Sequence, residues 1–140
     1  MIVVDTGGLY AFLDQSDAWH TAARAVVEQE PGPFLMSPFV LAELDWLVQT
    51  RMGVDAEFAL LDDVEAGVYT LVPFDAADLR EALSFLRHYS GLGIGLADAS
   101  VAVVAARFRT VNLLTTDQHH FRALRPLYGG DAFHLAPVDG

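Results

Sequence analysis

Short apolar runs alternate with longer segments of helical periodicity along this chain. Apolar runs at residues 2–4, 34–36, 69–72 and 111–114 have the length and the flanking residues of buried strands. Residues 133–135 predict a last, edge strand. Strands separated by helices at this spacing predict an α/β fold, a central parallel sheet of four to five short strands with helices on both faces.

Between the strands, apolar residues recur at intervals of three and four, as they do in amphipathic helices. Ser37 followed by Pro38 is a helix start signal, and Asp75 is a second cap residue. The predicted helices cover residues 9–13, 18–28, 38–51, 54–65, 76–89 and 96–107, with a short one after Asp117. The helix at 96–107 is apolar nearly all round, so we expect it to be central and buried. We also expect both tryptophans in the core.

Length and composition favour one globular domain spanning residues 1–140. The chain has 140 residues, of which 53% are apolar, and it has no cysteine for disulfides or thiolate metal sites. The start MIVVDTGG lacks the basic segment of a signal peptide, and no run approaches the ~20 apolar residues of a membrane span. We therefore expect a cytoplasmic protein that does not bind membranes.

The charge is strongly negative and unevenly distributed. Residues 1–79 hold fourteen acids and two arginines, whereas residues 80–140 hold five acids and six arginines, and the chain has no lysine. A formal net charge of −11 argues by itself against nucleic acid binding, because phosphate contacts need local positive charge. It is compatible with a cationic partner or with a site whose negative charge holds a metal ion.

Four acids stand in apolar surroundings. Asp5 and Asp117 each follow an apolar strand, and ligands of parallel sheets bind outside the carboxyl ends of the strands. Glu43 lies at helical spacing from apolar residues, and Asp98 opens the apolar helix. Each could alone be a turn former, a helix cap or a solvated edge residue. Together they would repel one another, and a hard cation such as Mg²⁺ or Mn²⁺ would relieve that repulsion.

The order and flanking residues of these acids, VVDTGGL…PFVLAEL…IGLADAS…LLTTDQHHF, resemble the PIN-domain ribonucleases, and specifically the VapC toxins of bacterial toxin–antitoxin pairs. The resemblance covers residue 2 to about residue 126. It implies a metal-dependent endoribonuclease that cleaves tRNA or ribosomal RNA, inhibits growth and is silenced by a cognate VapB-type antitoxin. It also implies an acidic metal-site quartet with two supporting hydroxyls; these residues are Asp5, Glu43, Asp98 and Asp117, with Thr6 and Thr116.

The remaining polar residues of interest are histidines and arginines. Adjacent histidines on a helix point about 100° apart, so His119 and His120 cannot both face one metal ion. We expect His120 and Phe121 to anchor the short helix against the core, with neither histidine in the site. The arginines of the second half are candidates for an RNA phosphate track, with surface solvation as the alternative; they are Arg80, Arg87, Arg107, Arg109, Arg122 and Arg125.

Other functions remain open at this point. The acidic groove could bind a basic peptide and cleave nothing, or the chain could be a DNA nuclease or a housekeeping RNA-processing enzyme of the same fold. A receiver domain would need a lysine near its last strands, and a haloacid-dehalogenase-type phosphatase would need an acid where Gly7 stands. For the toxin we expect at least a homodimer, and a higher assembly when the antitoxin binds through a basic segment.

Overall fold

The computed structural model describes all 140 residues and has a five-stranded, entirely parallel sheet in the order β3-β2-β1-β4-β5. The strands are β1 Ile2–Val4, β2 Phe34–Met36, β3 Thr70–Leu71, β4 Asn112–Thr115 and β5 His134–Pro137. The predicted parallel α/β class and the edge strand near the C-terminus are confirmed. The chain places β1 at the centre of the sheet, so the residue after β1 emerges between neighbouring strands on both sides.

Seven helices connect the strands. They are α1 Thr6–Leu13, α2 His20–Gln29, α3 Pro38–Met52, α4 Val54–Glu65, α5 Ala76–His88, α6 Leu96–Arg107 and α7 Gln118–Phe121. The two predicted caps are present, since Ser37 Oγ accepts from the Val40 N–H and Asp75 forms a capping box with Asp78. Helix α1 begins three residues earlier than predicted. None of the helices combines the length and apolar composition needed to cross a bilayer.

Helix α6 is the central buried helix that the sequence predicted. Every residue from Ala99 to Ala105 is buried, because the helix packs against α3, α5 and β1. A hydroxyl pair joins α6 to the start of α3: Ser100 Oγ donates to the Ala97 carbonyl and lies 2.6 Å from Ser37 Oγ. Since Ser37 also caps α3, this pair fixes the first turns of two helices that carry candidate site acids.

The expectation that both tryptophans lie in the core was wrong. Trp46 is 62% exposed and Trp19 is half-exposed, and Phe58 on α4 also faces solvent. Their spacing fits a buried stripe, but the buried face of α3 is formed by the smaller side chains of Val40, Leu44 and Val48. The periodicity of apolar residues correctly predicted the helix α3. It did not show which of the two apolar stripes on that helix faces the core.

An acidic pair between α3 and α4 was not expected from the sequence. Glu57 is buried, and it lies within hydrogen-bonding reach of Asp45 and accepts from Gln49 Nε2 at 3.2 Å. The Asp45 contact, followed by burial, raises the pKa of Glu57. Asp45 Oδ1 is buried and has no donor. A single proton shared by the two carboxyl groups removes the repulsion between their charges. This pair therefore differs from the separate, solvated acids of an exposed helix face.

Gly8 allows α1 to cross closely over β4. A Cβ at this position would lie 2.2 Å from the Leu114 carbonyl oxygen, a backbone atom that cannot turn aside. This close approach places the start of α1 against the end of β4. The glycine is therefore required by contact distance and not by an unusual φ angle.

Gly8→Ala should destabilise the protein strongly, because the added methyl group must displace α1 from β4. We expect a loss of roughly 2–3 kcal/mol or more, typical of severe overpacking. Thermal melts compare it with Gly91→Ala, whose Cβ would point into open space. Equal melting temperatures for the two variants would show that α1 does not approach β4 as closely as described.

Candidate functional site

Asp5 is the buried acid of the site. It follows β1 directly and is only 5% exposed. Its N–H donates to the Leu114 carbonyl of β4 at 2.9 Å, which continues the β1–β4 pairing of Val4 with Leu114 by one residue. Burial raises its pKa to about 7, and the charges of Asp98 and Asp117 act in the same direction.

Thr115, the last residue of β4, joins two of the predicted acids. Its hydroxyl donates to Asp5 Oδ2 at 2.7 Å and accepts from the Asp117 N–H at 3.0 Å. The sequence assigned supporting roles to Thr6 and to Thr116, one residue further along. Thr116 is half-buried, and it is Thr115 that makes the bridge.

Asp117, His120 and Asp98 come together at the start of α7 and α6. Asp117 caps α7 by accepting from the His120 N–H at 3.0 Å, and its Oδ2 lies 2.8 Å from His120 Nδ1. The same nitrogen lies 3.9 Å from Asp98 Oδ2. One ligand atom from each of these three side chains lies within 4.8 Å of the others. They form the densest group of potential metal ligands in the chain.

Asp98 lies in the first turn of α6, where its carboxylate accepts from the Gly95 N–H at 3.3 Å. Burial raises its pKa, and the nearby charges of Asp117 and Glu43 also raise it. The Gly95 N–H and His120 act in the opposite direction. The glycine-rich segment before α6 therefore supplies an N–H to this carboxylate, as well as linking α5 to α6.

Glu43 differs from the other three acids. It lies on α3, close enough to Asp98 for its charge to act there, but its side chain is exposed to solvent. The expectation that it lies on the apolar face of α3 was wrong, because that stripe includes the exposed Trp46. Glu43 can join a shared site only as its solvent-facing edge.

The structural interpretation of His120 was also wrong. Phe121 alone anchors α7, since it is buried and packs edge-on against Phe133. His120 instead faces Asp117 and Asp98, while His119 is exposed. We name the group of Asp5, Asp98, Asp117 and His120, with Glu43 at its edge, the acid centre. Because adjacent residues of a helix point in different directions, one of the two histidines could face the site. Asp117 contacts both the backbone N–H and the ring of His120, so His120 is the one that does.

The candidate arginines divide into paired and free groups. Arg107 donates to the Pro73 carbonyl and to Asp78, and Arg122 forms a two-bond pair with Asp139. Arg109 lies over the ring of Tyr128 at 5.2 Å from its centroid. The other three, Arg80, Arg87 and Arg125, are exposed and form no ion pair. The first two arginines thus serve the fold, and the last three are available to a ligand.

The acid centre fits a hard divalent cation by its chemistry. Asp98 and Asp117 offer carboxylate oxygens within 4.8 Å of each other, and the nearby Asp5 has a buried carboxyl group whose charged form burial disfavours. The Thr6 hydroxyl next to it is buried and has no partner. An unpaired hydroxyl beside clustered carboxylates suits a site that holds an ion with its bound water.

Comparison with known proteins identifies the family to which this fold belongs. The family model for the PIN domain matches residues 2–126. The chain belongs to the PIN-domain family. It is 40% identical over 136 residues to the ribonuclease VapC26 of Mycobacterium tuberculosis, a match that covers 97% of this chain and all of that protein. It therefore belongs, within the PIN domains, to the VapC group.

Two solved structures share the fold. VapC20 of Mycobacterium tuberculosis, described as a toxin that cleaves the sarcin–ricin loop, superposes with a TM-score of 0.78 at 24% identity, covering 84% of this chain and 90% of VapC20. FitAcB from Neisseria gonorrhoeae gives a TM-score of 0.62 at 22% identity, with 88% and 92% covered. At these identities the two structures support the PIN fold alone.

The pKa of Asp5 makes the stability of this PIN domain depend on pH when metal is removed. The unfolded carboxyl loses its proton near 3.8 and the folded one near 7, so the folded state is favoured below that window and loses stability as pH rises through it. In EDTA, the wild type should melt about 5 °C or more higher at pH 5.5 than at pH 7.5. Asp5→Asn should lose most of that difference, and the exposed Asp131→Asn should keep it. An unchanged pH dependence in Asp5→Asn would show that Asp5 is ionised in the folded protein.

Proposed function

We propose that this chain is a metal-dependent endoribonuclease and the toxin of a toxin–antitoxin pair. The observation that carries the proposal is the convergence of Asp98, Asp117 and His120 within 4.8 Å beside the buried Asp5, at the carboxyl edge of a parallel sheet. The name of the 40% identical relative, a ribonuclease, supports the reaction class. The naming of VapC20 as a toxin supports inhibition of growth, with structured RNA such as tRNA or ribosomal RNA as the substrate.

Asp5, Asp98 and Asp117 would hold Mg²⁺ or Mn²⁺, and Glu43 would act at the solvent edge, on a second ion or on the attacking water. The bound ion would lower the pKa of a water molecule and neutralise charge on the phosphate. Thr115 keeps Asp5 and Asp117 in a fixed relation, and Thr6 and Thr116 lie beside them as supporting hydroxyls. The carboxylates supply negatively charged oxygens near the carboxyl edge of the sheet, and the threonines supply neutral hydroxyls beside them.

His120 has a role that the sequence did not indicate. Its Nδ1 lies against Asp117, which orients the ring and leaves the second ring nitrogen to exchange a proton. A histidine held by a carboxylate is suited to giving a proton to a leaving oxygen or to positioning the carboxylates themselves. We assign it a proton-transfer or positioning role in cleavage of the phosphodiester bond.

The surroundings of the acid centre fit RNA and an inhibitory partner. Free arginines of the second half, with Arg109 stacked on Tyr128, would contact phosphates once cations neutralise the acids. A VapB-type antitoxin would place a basic segment across the same acidic groove and so exclude RNA. We further propose a cytoplasmic homodimer that forms a higher assembly with the antitoxin.

Asp98→Asn should abolish toxicity and cleavage while leaving the protein folded, because it removes a charged oxygen from the centre of the site. Expression of the wild type without an antitoxin should arrest bacterial growth. Purified wild type should cleave RNA with Mg²⁺ or Mn²⁺ and stop in EDTA, and the variant should be slower by about a hundredfold or more. Asp131→Asn, an exposed acid outside the site, is the matched control.

The same assay separates the proposal from its rivals. Undiminished arrest by Asp98→Asn would remove the acid centre from the reaction. Binding of a basic peptide without any cleavage would indicate an interaction module. Equal cleavage of DNA, without growth arrest, would indicate a nuclease of another cellular role.

His120→Ala should reduce cleavage by roughly a hundredfold or more, the usual range for losing a proton-transfer group. His119→Ala should retain most activity, since that side chain is exposed and touches neither acid. Circular dichroism would confirm that both variants fold, and the pH profile of kcat should change only in His120→Ala. A larger loss in His119→Ala would reverse the assignment of the two histidines.

A further inference from the structure

A second cleft lies apart from the acid centre, between α5, the last turn of α6 and residues 125–127. It encloses about 620 Å³, a volume within the range of small-ligand sites. Its residues include Phe85, His88 and Tyr89, whose rings contact one another at centroid distances of 4.9 Å and 4.6 Å. We name it the α5 cleft. It has an aromatic wall with one exposed ring, that of His88.

The charges in the α5 cleft are free to meet a ligand. Arg125 and Glu81 both line it, but they do not form an ion pair with each other or with any other residue. The Arg125 N–H donates to Tyr89 Oη at 3.0 Å, so the backbone of this segment is held to α5 without using the guanidinium. A cation, a carboxylate and the Ser84 hydroxyl therefore face one aromatic-walled space without internal partners.

This set of groups matches an unstacked nucleotide. Bases of single-stranded RNA stack on aromatic rings and are recognised through hydrogen bonds at their edges. A carboxylate accepts from base N–H groups, and a guanidinium binds phosphate in a fork geometry. A purely basic peptide would leave Arg125 unpaired, and a purely acidic one would leave Glu81 unpaired.

The chain connects the α5 cleft directly with the acid centre. Tyr89 is followed by the glycine-rich segment that leads to Asp98, and Asp117 begins the segment that ends at Arg125. Arg125 is eight positions after Asp117, so their Cα atoms are at most about 28 Å apart. One RNA strand can therefore reach both places with a few nucleotides between them.

An aromatic–cation pair extends the surface of the α5 cleft. Tyr128 follows the cleft residue Leu127 directly, is exposed, and carries the guanidinium of Arg109 over its ring. A guanidinium plane stacked on an aromatic ring is itself a platform for a base. Residues 125–128 therefore join two stacking positions, the rings of His88 and Tyr89 in the cleft and the Arg109–Tyr128 pair.

We propose that the α5 cleft binds a nucleotide of the RNA substrate outside the acid centre and contributes to choosing the RNA. The base lies against His88 and Tyr89, Glu81 accepts from its edge, and Arg125 contacts a phosphate. This inference rests on the proposed function in one respect, that RNA is the substrate. Binding of a nucleotide in the cleft does not itself require cleavage.

Binding is tested by NMR on the full chain in EDTA, with each of the four ribonucleoside 5′-monophosphates as probe. EDTA removes the cations that would otherwise bring the phosphate to the acid centre. The ring signals of His88 and Tyr89 should shift, most with the bases whose edges donate to a carboxylate. Arg125→Gln and Glu81→Gln should each weaken binding by roughly tenfold, and Arg24→Gln and Glu65→Gln, which remove the same charges elsewhere, should not.

Cleavage kinetics provide the second readout. With RNA as substrate, Arg125→Gln should raise KM roughly tenfold and leave kcat unchanged, since it touches no reacting atom. If the ring signals of His88 and Tyr89 shift but the wild type cleaves no RNA, the nucleotide site stands and the ribonuclease proposal is wrong. If the wild type cleaves RNA but the ring signals do not shift and Arg125→Gln leaves KM unchanged, the proposal of a nucleotide site in the cleft is wrong. Ring signals that move only on self-association or only with the antitoxin would overturn it as well.

Discussion

The Thr115 hydroxyl is the contact on which the geometry of the acid centre depends. It donates to Asp5 and accepts from the Asp117 N–H. One buried hydroxyl therefore holds together two acids that follow different strands. It lies there because β1 and β4 are neighbours in register, with Val4 opposite Leu114. Gly8 then allows α1 to lie against the end of β4. A shift of one residue in that register would separate the acids and turn the side chains of the shifted strand to the opposite face of the sheet.

The acid centre places negative charge where burial disfavours it, and the surrounding fold makes this possible. Asp5 leaves the central strand of the sheet, and Asp98 begins the most buried helix. The Ser37–Ser100 pair joins the start of α3, which carries Glu43, to α6, which carries Asp98, and Thr115 joins Asp5 to Asp117. Burial is the main cause of the raised pKa values of Asp5 and Asp98, and the neighbouring carboxylates add to it. A rigid group of this kind is preorganised for a cation and is least stable without one.

The sequence predicted the parallel sheet, the helices and three acids of the site, because strand ends and helix starts are local signals. Asp5 and Asp117 follow apolar strands, and Asp98 opens α6. The sequence could not determine which of two neighbouring side chains points into the site, because that depends on a small rotation of the strand or helix about its axis. Thr115 and Thr116 differ by one residue in a strand, and His119 and His120 by 100° on a helix. For the same reason Glu43 was expected on an inward face, and the contact between Asp45 and Glu57 was not foreseen.

The distribution of cations explains how an acidic chain can meet RNA. Arg24, Arg107 and Arg122 pair with acids of the same chain, and Arg51 lies over Tyr10. The second-half arginines without ion pairs are Arg80, Arg87, Arg109 and Arg125, and Arg51 is the one such arginine of the first half. At physiological salt, charges more than about 8 Å apart are largely screened, so a phosphate responds to its neighbours and not to the net charge of −11. Local pairing therefore decides which surface is available to RNA, and it leaves Arg125 free on the segment that follows Asp117.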